Sequence, residues 1–179
     1  MAKRIIEVVP YDPAWPVAAA GAIAEVREAL SGAITEIEHI GSTAVPGLAA
    51  KPVIDLMAAA EDLGAVGSRD AELARLGYWA GHHGMSGHLL YVRGDDTHRT
   101  HHLHVVTLES WPSRNQRFFR DHLRACPQDA ARYARLKQSL AAANPSADDY
   151  VRAKTDLIQE LTDRARAERG LPPVPVWED

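Results

Sequence analysis

Apolar and polar residues follow a helical spacing at the start of the chain and form strand-like runs after it. An apolar stripe at i, i+3 and i+7, with few helix breakers, predicts a helix over residues 16–30. Gly32 separates this helix from a predicted strand over residues 34–40, and a second apolar strand is predicted over residues 52–59. Residues 5–9 fit either a short strand or an extended arm.

The middle of the chain alternates short apolar runs with turn residues. Ser68 as an N-cap and Gly77 just past the end predict a helix over residues 68–76. Strands are predicted over residues 78–79, 88–93 and 103–107, with Gly94-Asp95-Asp96 as one of the turns between them.

Helical patterns take over after Trp111-Pro112. Three helices are predicted over residues 113–124, 128–142 and 147–168, separated by Pro127 and by Asn144-Pro145. The proline-rich residues 171–179 are expected to lie extended. The whole pattern predicts one α/β (α+β) domain over residues 1–170, in which a helical portion, about residues 111–169, packs on a sheet portion, about residues 1–110.

Size, charge and composition narrow the class of protein. A chain of 179 residues is long enough for one sizeable core, and a net charge of −4 gives no broad basic character for nonspecific nucleic-acid binding. The single cysteine, Cys126, excludes an intrachain disulfide and a cysteine-rich zinc site. Because the chain has no membrane-length apolar run and no pattern of a secretion signal, we expect a cytoplasmic protein without membrane attachment.

A Gly-Ser turn followed by a strand that carries an acid is the strongest sign of a functional site. Gly41-Ser42 ends the first strand, and Asp55 interrupts an apolar run over residues 52–57. An unpaired charge is costly to bury, so an acid at such a position indicates a metal or phosphate site. The simpler alternatives are an ordinary turn and a hydrogen-bonded structural aspartate. Lys51, just before the strand, suits either a phosphate contact or a solvated strand entry.

Histidines are concentrated in the middle of the chain. Seven of the nine histidines are His82, His83, His88, His98, His101, His102 and His104. On a strand, His102 and His104 project from the same face, where with Asp55 they offer ligands for a divalent metal such as Mg²⁺, Mn²⁺ or Zn²⁺. Imidazoles also bind phosphate, ribose or carboxylate groups without any metal. We expect His82, His83 and His98 to be solvated residues in loops.

Several motifs together resemble those of the GrpB family. They are Tyr11-Asp12-Pro13-x-Trp15-Pro16, His102-Leu103-His104-Val105-Val106, Phe118-Phe119-Arg120-Asp121-x-Leu123-Arg124, and the later residues Tyr133, Leu136-Lys137, Tyr150 and Lys154. The resemblance covers almost the whole chain, and the combination is specific although each motif alone is not. It implies a nucleotidyltransferase-like mixed sheet with flanking helices, and a relationship to a domain fused to dephospho-coenzyme A kinase in some bacteria.

The resemblance also implies roles for the turn and the strand. In nucleotidyltransferases a Gly-Ser turn binds the triphosphate, and the next strand bears two carboxylates at i and i+2 that share Mg²⁺. Here Gly41-Ser42 matches the turn and Asp55 the first carboxylate, but Met57 stands at the second position. A thioether does not bind hard cations, so this departure argues against a two-metal mechanism. His104 is the expected occupant of the third acidic position, and Glu38 is the other acid near enough to replace the missing one.

The candidate site residues follow from these patterns. Catalytic roles are assigned to Asp55 and His104, and metal binding to Asp55, His102 and His104. A ligand phosphate is expected to contact Gly41, Ser42, Lys51, Arg120 and Lys154. Lys137 and Arg124 also fall near this cleft but fit solvated helix faces, and the packing residues are predicted to include Phe118, Phe119 and Tyr133.

Three functions remain open at this point. The first is a nucleotidyltransferase-like enzyme that binds a nucleotide at the Gly41-Ser42 turn and uses Asp55 with one metal. The second is a binding module for a nucleotide or phosphorylated small molecule, which Met57 favours because the second acid is lost. The third is a metal-dependent phosphoester hydrolase that uses Asp55, His102 and His104.

Overall fold

The computed structural model describes residues 6–81, 86–95, 97–143 and 146–176. Within these ranges the strands of one mixed sheet are β1 (Glu36–Ile40), β2 (Ile54–Ala60), β3 (Tyr78–Gly81), β4 (His88–Gly94) and β5 (Arg99–Thr107). The helices are α1 (Ala14–Ala29), α2 (Leu63–Gly67), α3 (Asp70–Arg75), α4 (Asn115–Ala125), α5 (Pro127–Ala142), α6 (Ala147–Arg152) and α7 (Thr155–Ala167). The predicted mixed sheet with flanking helices and a C-terminal helical portion is confirmed.

The strands β2 and β5 lie side by side inside the sheet. The strand order is β1-β2-β5-β4-β3, with β2 and β5 parallel and the other neighbouring strands antiparallel. The register pairs Asp55 with His102 and Met57 with His104. Paired residues on neighbouring strands project from the same face of a sheet, so this register brings the acid and the two histidines together.

Helix α1 covers the face of the sheet that is opposite to Asp55. Its buried residues Ala19, Ala22 and Val26 pack in one cluster with Leu56 of β2 and Leu103 of β5. Because side chains alternate along a strand, the residues on either side of Leu56 project from the other face. The main core is therefore built on one face, and the other face carries the candidate site together with a smaller buried cluster of Ile40, Met57, Ala59, Val106 and Trp111.

The helical portion packs on the segment that follows β1. A cluster of buried residues joins this segment to α4, α5 and α7, and its members are Val45, Leu48, Leu123, Tyr133 and Leu161. Burial of these apolar side chains holds the helices over the turn that begins at Ser42.

Two predicted helices have different bounds in the structure. The helix predicted over residues 68–76 is α3, which begins at Asp70, and the short helix α2 before it was not predicted. The Ser68 hydroxyl donates to the carbonyl of Ala65 in the preceding turn, so the predicted N-cap role of Ser68 is wrong. The helix predicted over residues 147–168 is interrupted between α6 and α7, which places Lys154 in a turn.

Other boundaries differ by smaller amounts. β5 begins at Arg99, earlier than predicted, so His102 lies inside the strand and not before it. The arm near the start of the chain makes an isolated antiparallel bridge between Val9 and Ala50. The predictions for His82, His83, Asp96 and Asn144-Pro145 fall outside the described residues.

Among the helices that the structure describes, none has both the length and the apolar character needed to cross a membrane.

Candidate functional site

A cleft of about 290 Å³ opens between the sheet and the helical portion. The predicted site residues that line it are Gly41, Ser42, Lys51, Asp55, His102 and Lys154. The opposite wall comes from the helical portion and includes Phe119, Tyr133, Lys137 and Tyr150. Residues far apart in the chain therefore meet in one cavity that carries both cationic and aromatic side chains.

The turn at Gly41 brings the backbone against the side chain of Asp55. Gly41 has φ 75° and ψ −175°, a conformation that is essentially restricted to glycine. A Cβ atom at this position would collide with the Asp55 carboxylate, where Oδ2 is the nearest atom. Glycine is required here both by the dihedral angles and by the close approach. Ser42 then begins a single 3-10 turn, Ser42–Ala44.

Asp55 and His102 form a hydrogen-bonded pair at the floor of the cleft. The imidazole Nδ1 of His102 donates to Oδ1 of Asp55 at 2.9 Å. Burial acts to raise the pKa of Asp55, but the bond from His102 and the neighbouring histidines outweigh burial, so this pKa lies below its ordinary value. Asp55 is therefore a carboxylate at neutral pH. The Nε2 atom of His102 is buried and has no hydrogen-bond partner among the described residues, which leaves it open to a ligand.

A row of histidines continues from this pair along the same face of the sheet. His104 lies next in the row, and its Nδ1 is 2.9 Å from Nε2 of His88 on β4. Single ligand atoms of Asp55, His102 and His104 lie within 4.8 Å of one another, a spacing that fits one divalent metal ion. Met57 beside His104 is fully buried and takes the place of the second carboxylate.

Lys137 is a buried cation that contacts the Gly-Ser turn. Its side chain reaches the cleft from α5, and the residue is only 2% exposed. The Nζ atom donates to the Ser42 hydroxyl at 3.0 Å and to the Ala49 carbonyl at 2.6 Å. Burial and the nearby charge of Lys154 lower the pKa of Lys137 to about 7. The charge of this amine therefore changes near neutral pH.

Lys154 approaches the same space from the turn between α6 and α7. Its Nζ lies 4.1 Å from the centroid of the Tyr150 ring. Burial, which outweighs the attraction of Asp55 and is reinforced by the charge of Lys51, lowers the pKa of Lys154 to about 8. Three lysines thus face one carboxylate in the cleft, and the balance of charge favours an anionic ligand.

Aromatic rings form the apolar part of the cleft. Phe119 and Tyr133 meet edge to face, with ring centroids 5.2 Å apart, and Tyr133 is buried. Both residues belong to the packing cluster of the helical portion, as predicted, but they also line the cleft, which was not predicted. The predicted solvated position of Lys137 is wrong. The i, i+4 spacing of Tyr133 and Lys137 is the sequence signal that places both on one side of α5.

Arg120 lies outside this arrangement. Its guanidinium donates to Glu38 at 2.7 Å, to Asp121 at 2.8 Å and to the carbonyl of His39 at 3.0 Å. Arg117 binds the same Glu38 carboxylate at 3.0 Å. Carboxylates compensate both charges, and neither Arg120 nor Glu38 is among the described residues that line the cleft. The phosphate contact of Arg120 and the replacement of the missing acid by Glu38 stay predictions that these contacts do not favour. The pair instead ties α4 to β1.

A second group of ligand atoms lies away from the cleft. Single atoms of His122, Cys126 and Asp129 are within 4.8 Å of one another. His122 Nε2 lies 2.8 Å from the Asp129 carboxylate, which also receives bonds from Arg132 and Arg164. This carboxylate is already neutralised by two guanidinium groups, so we assign the cluster to the packing of α5 against α7.

The fold and the cleft together define a small mixed α/β protein with a cationic, aromatic cleft beside an Asp-His pair. The model of the GrpB family, described as "GrpB protein", matches residues 5–164. The chain belongs to the GrpB family. The crystal structure of the conserved protein GrpB from Enterococcus faecalis superposes with a TM-score of 0.85 at 34% identity, over 92% of this chain and 99% of that one.

Sequence relatives support the same assignment. The UPF0157 protein PA4798 of Pseudomonas aeruginosa is 38% identical over 168 residues, which is 90% of this chain and 68% of that protein. The UPF0157 protein YqkA of Bacillus subtilis is 34% identical over 170 residues, 92% of this chain, and the chain spans only 48% of its length. A dephospho-CoA kinase of Mycolicibacterium paratuberculosis is 35% identical over 81 residues, 44% of this chain and 20% of that protein.

Proposed function

We propose that this protein binds a nucleotide or another phosphorylated small molecule in the cleft. The observation that carries the proposal is the convergence of Lys51, Lys137 and Lys154 on one cavity beside the hydroxyl of Ser42. Ammonium groups and a hydroxyl are suitable donors for phosphate oxygens. Charged lysines are costly to bury together, and a bound phosphate would compensate for that cost.

The dimensions and the walls of the cleft support a small ligand with an apolar part. A cavity of about 290 Å³ lies at the lower end of the range for small-molecule sites. Tyr133, Tyr150 and Phe119 offer ring surface on the side opposite to the sheet, where a nucleobase or a similar group has room to pack. Thr162 adds a fully buried hydroxyl that has no hydrogen-bond partner among the described residues, and it also lines the cavity.

Binding is supported better than nucleotidyl transfer. Transfer with a divalent metal would depend on Asp55, because Met57 stands where a second carboxylate would be needed. A single carboxylate is a weaker site for Mg²⁺ than a pair, and the Gly41-Ser42 turn with its lysines needs no metal to hold a phosphate. We therefore place binding first and metal-dependent transfer second.

Lys154→Gln is expected to weaken the binding of ATP and of inorganic pyrophosphate by about 10- to 100-fold, because a hydrogen bond to a charged group contributes about 1.5–3 kcal/mol. Isothermal titration calorimetry at pH 8 measures this change. Arg152→Gln is the matched control, since Arg152 is an exposed cation on the neighbouring helix α6. Equal losses in the two variants would contradict the assignment of Lys154.

The same titration has a second readout in the wild-type protein. A bound phosphate raises the pKa of Lys137 and Lys154, which lie at about 7 and about 8 without ligand. Binding at pH 8 is therefore expected to take up protons, and the measured heat should differ between buffers of different ionisation enthalpy. If neither ATP nor pyrophosphate gives any heat or thermal stabilisation, the proposal is wrong.

The second candidate function is a metal-dependent phosphoester hydrolase. The observation that favours it is the grouping of Asp55, His102 and His104. These residues would hold Zn²⁺ or Mn²⁺ more readily than Mg²⁺, because two of the three ligands are imidazoles. A bound metal of this kind would supply an activated water for hydrolysis. The free Nε2 of His102 is one donor atom that would face such an ion.

Metal analysis of protein purified without a histidine tag tests this candidate. Stoichiometric zinc or manganese is expected in the wild type and is expected to be lost in Asp55→Asn and His104→Ala. His98→Ala is the control, because His98 is exposed and lies outside the group. The candidate is rejected if the wild type contains no bound metal after dialysis against zinc and manganese, or if His98→Ala loses as much metal as His104→Ala.

A further inference from the structure

We propose that Ser42 and Lys137 form a nucleophile–base dyad that hydrolyses small esters whose acid part is anionic. The inference rests on the proposed function, because it takes the same cleft to be the site that binds ligand. Its physical basis is one contact: Nζ of Lys137 lies 3.0 Å from Oγ of Ser42 inside the cavity. A serine hydroxyl becomes a useful nucleophile when a base lies within hydrogen-bond reach of it.

The backbone holds Ser42 at the edge of the cavity. Gly41 turns the chain sharply at the end of β1, and Ser42 begins the short 3-10 turn that follows. Ser42 is neither buried in the core nor fully exposed, so a ligand in the cleft can reach its hydroxyl. The close packing of Gly41 against Asp55 leaves this turn little freedom to move.

The surroundings of Lys137 suit a general base. Burial and the nearby Lys154 lower its pKa to about 7, so a large fraction of the amine is neutral at physiological pH. A neutral amine has two N–H groups and one lone pair. The Ala49 carbonyl accepts one N–H at 2.6 Å, which orients the nitrogen while its lone pair can face the Ser42 hydroxyl.

Tyr133 completes the polar surroundings of the dyad. Nζ of Lys137 lies 4.6 Å from the centroid of the Tyr133 ring. Burial raises the pKa of the Tyr133 phenol, although the side chain of Ser42 acts to lower it, so the phenol stays protonated and able to donate. A protonated phenol beside the nucleophile can donate a hydrogen bond to the oxygen that becomes negative in the reaction.

The charges around the dyad select the class of ester. The titratable groups that line the cavity with Lys137 come from every wall, and they are Lys51, Asp55, His102, Tyr133, Tyr150 and Lys154. The additional lysines attract a carboxylate or phosphate on the acid part of the ester. The aromatic walls accept the apolar remainder.

The reaction balances with water as the co-reactant. Oγ of Ser42 attacks the ester carbonyl carbon and its proton passes to Nζ of Lys137. The bond from the carbonyl carbon to the leaving oxygen breaks, and Lys137 gives the proton to that oxygen as the alcohol departs. Water then attacks the acyl-serine with Lys137 again as base, which releases the acid and restores the hydroxyl.

The test uses two activated esters with the full chain: p-nitrophenyl acetate, and mono-p-nitrophenyl glutarate, whose acid part carries a carboxylate and which is expected to acylate Ser42 faster. Wild-type protein is expected to release p-nitrophenolate in a burst and to carry an acetyl group on Ser42, located by peptide mass spectrometry. The acylation rate is expected to rise with pH through about 7 as Lys137 loses its proton. Ser42→Ala should abolish the burst, and Lys137→Met should slow it by about 100-fold or more. Ser139→Ala is the control, because Ser139 is an exposed serine on the same helix as Lys137.

The outcomes separate this inference from the proposed function. An acetyl group on Lys137 or Cys126 but not on Ser42 overturns the dyad, as does a burst that survives in Ser42→Ala. The burst measured with Ser42→Ala tests the dyad even if Lys137→Met does not fold. If wild-type protein binds pyrophosphate but forms no acetyl-Ser42, the dyad fails and the proposed function stands. If Ser42 is acetylated but neither ATP nor pyrophosphate binds, the phosphate-binding function fails instead.

Discussion

Gly41→Ala is expected to destabilise the protein by about 3 kcal/mol or more and to abolish ligand binding in the cleft. A non-glycine residue at φ 75° and ψ −175° carries a backbone strain of about 1–3 kcal/mol. The added Cβ would also collide with the carboxylate of Asp55, so one of the two segments must move. Movement of Asp55 would break its bond to His102, and movement of the turn would take Ser42 away from Lys137. Urea denaturation measures the first effect, and calorimetry with pyrophosphate measures the second.

Gly47→Ala separates the two causes. Gly47 also has a positive φ, 78°, but a Cβ atom there would meet nothing within 4 Å. In this control, backbone strain alone should lower the free energy of unfolding, by about 1–2 kcal/mol, and the affinity for pyrophosphate should be unchanged. If Gly41→Ala and Gly47→Ala lose the same stability and both bind ligand, the close approach of Gly41 to Asp55 has no role in the site.

Lys137→Met is expected to remove most of a rise in stability that the wild-type protein shows between pH 7 and pH 9.5. The pKa of Lys137 is about 7 in the folded protein, below its ordinary value of 10.5. Over this interval the unfolded chain binds more protons than the folded one, so the free energy of unfolding increases with pH. The rise due to Lys137 is expected to be about 2–3 kcal/mol, because each unit of pKa difference corresponds to about 1.4 kcal/mol. Urea denaturation at several pH values measures it.

The pH interval and the control decide how this experiment is read. Measurements stop at pH 9.5 because the raised pKa values of Tyr78 and Tyr133 lower stability at higher pH. In Lys137→Met, Lys154, whose pKa is about 8, should still cause a smaller rise in the free energy of unfolding with pH. Arg135→Gln, an exposed change on the same helix, should retain the full wild-type rise. A flat wild-type profile, or an equal rise in Lys137→Met, would show that Lys137 is charged in the folded protein at neutral pH.

Local patterns were sufficient to predict most of the fold. Alternation along β5 puts His102 and His104 on one face, and the structure has them there because strand geometry follows from the residues themselves. The division of the helix predicted over residues 147–168 was missed, although it places Lys154 in the cleft. That break was hidden because residues of good helix propensity continue through it, and only packing of α7 against α4 and the segment after β1 decides where the axis changes.

The candidate site was predicted on its sheet side and missed on its helical side. Lys137 meets Ser42 across 95 residues of chain, and Arg120 meets Glu38 across 82. Both cations lie on amphipathic helices, and nothing local distinguishes the one that reaches the cleft from the one that pairs with an acid. The burial of each depends on how α4 and α5 pack over the turn, which is a property of the assembled core.

The sequence by itself determined the family, the mixed sheet, the Gly41-Ser42 turn and the Asp55 strand, together with the absence of a second carboxylate at Met57. These follow from motifs and from the short-range geometry of strands and turns. Only the tertiary structure decided that Lys137 contacts Ser42, that Arg120 is held by Glu38, and that Tyr133 lines the cleft. The physical reason is that burial and charge pairing between distant segments depend on three-dimensional packing, and these two effects set the pKa values on which the proposed chemistry depends.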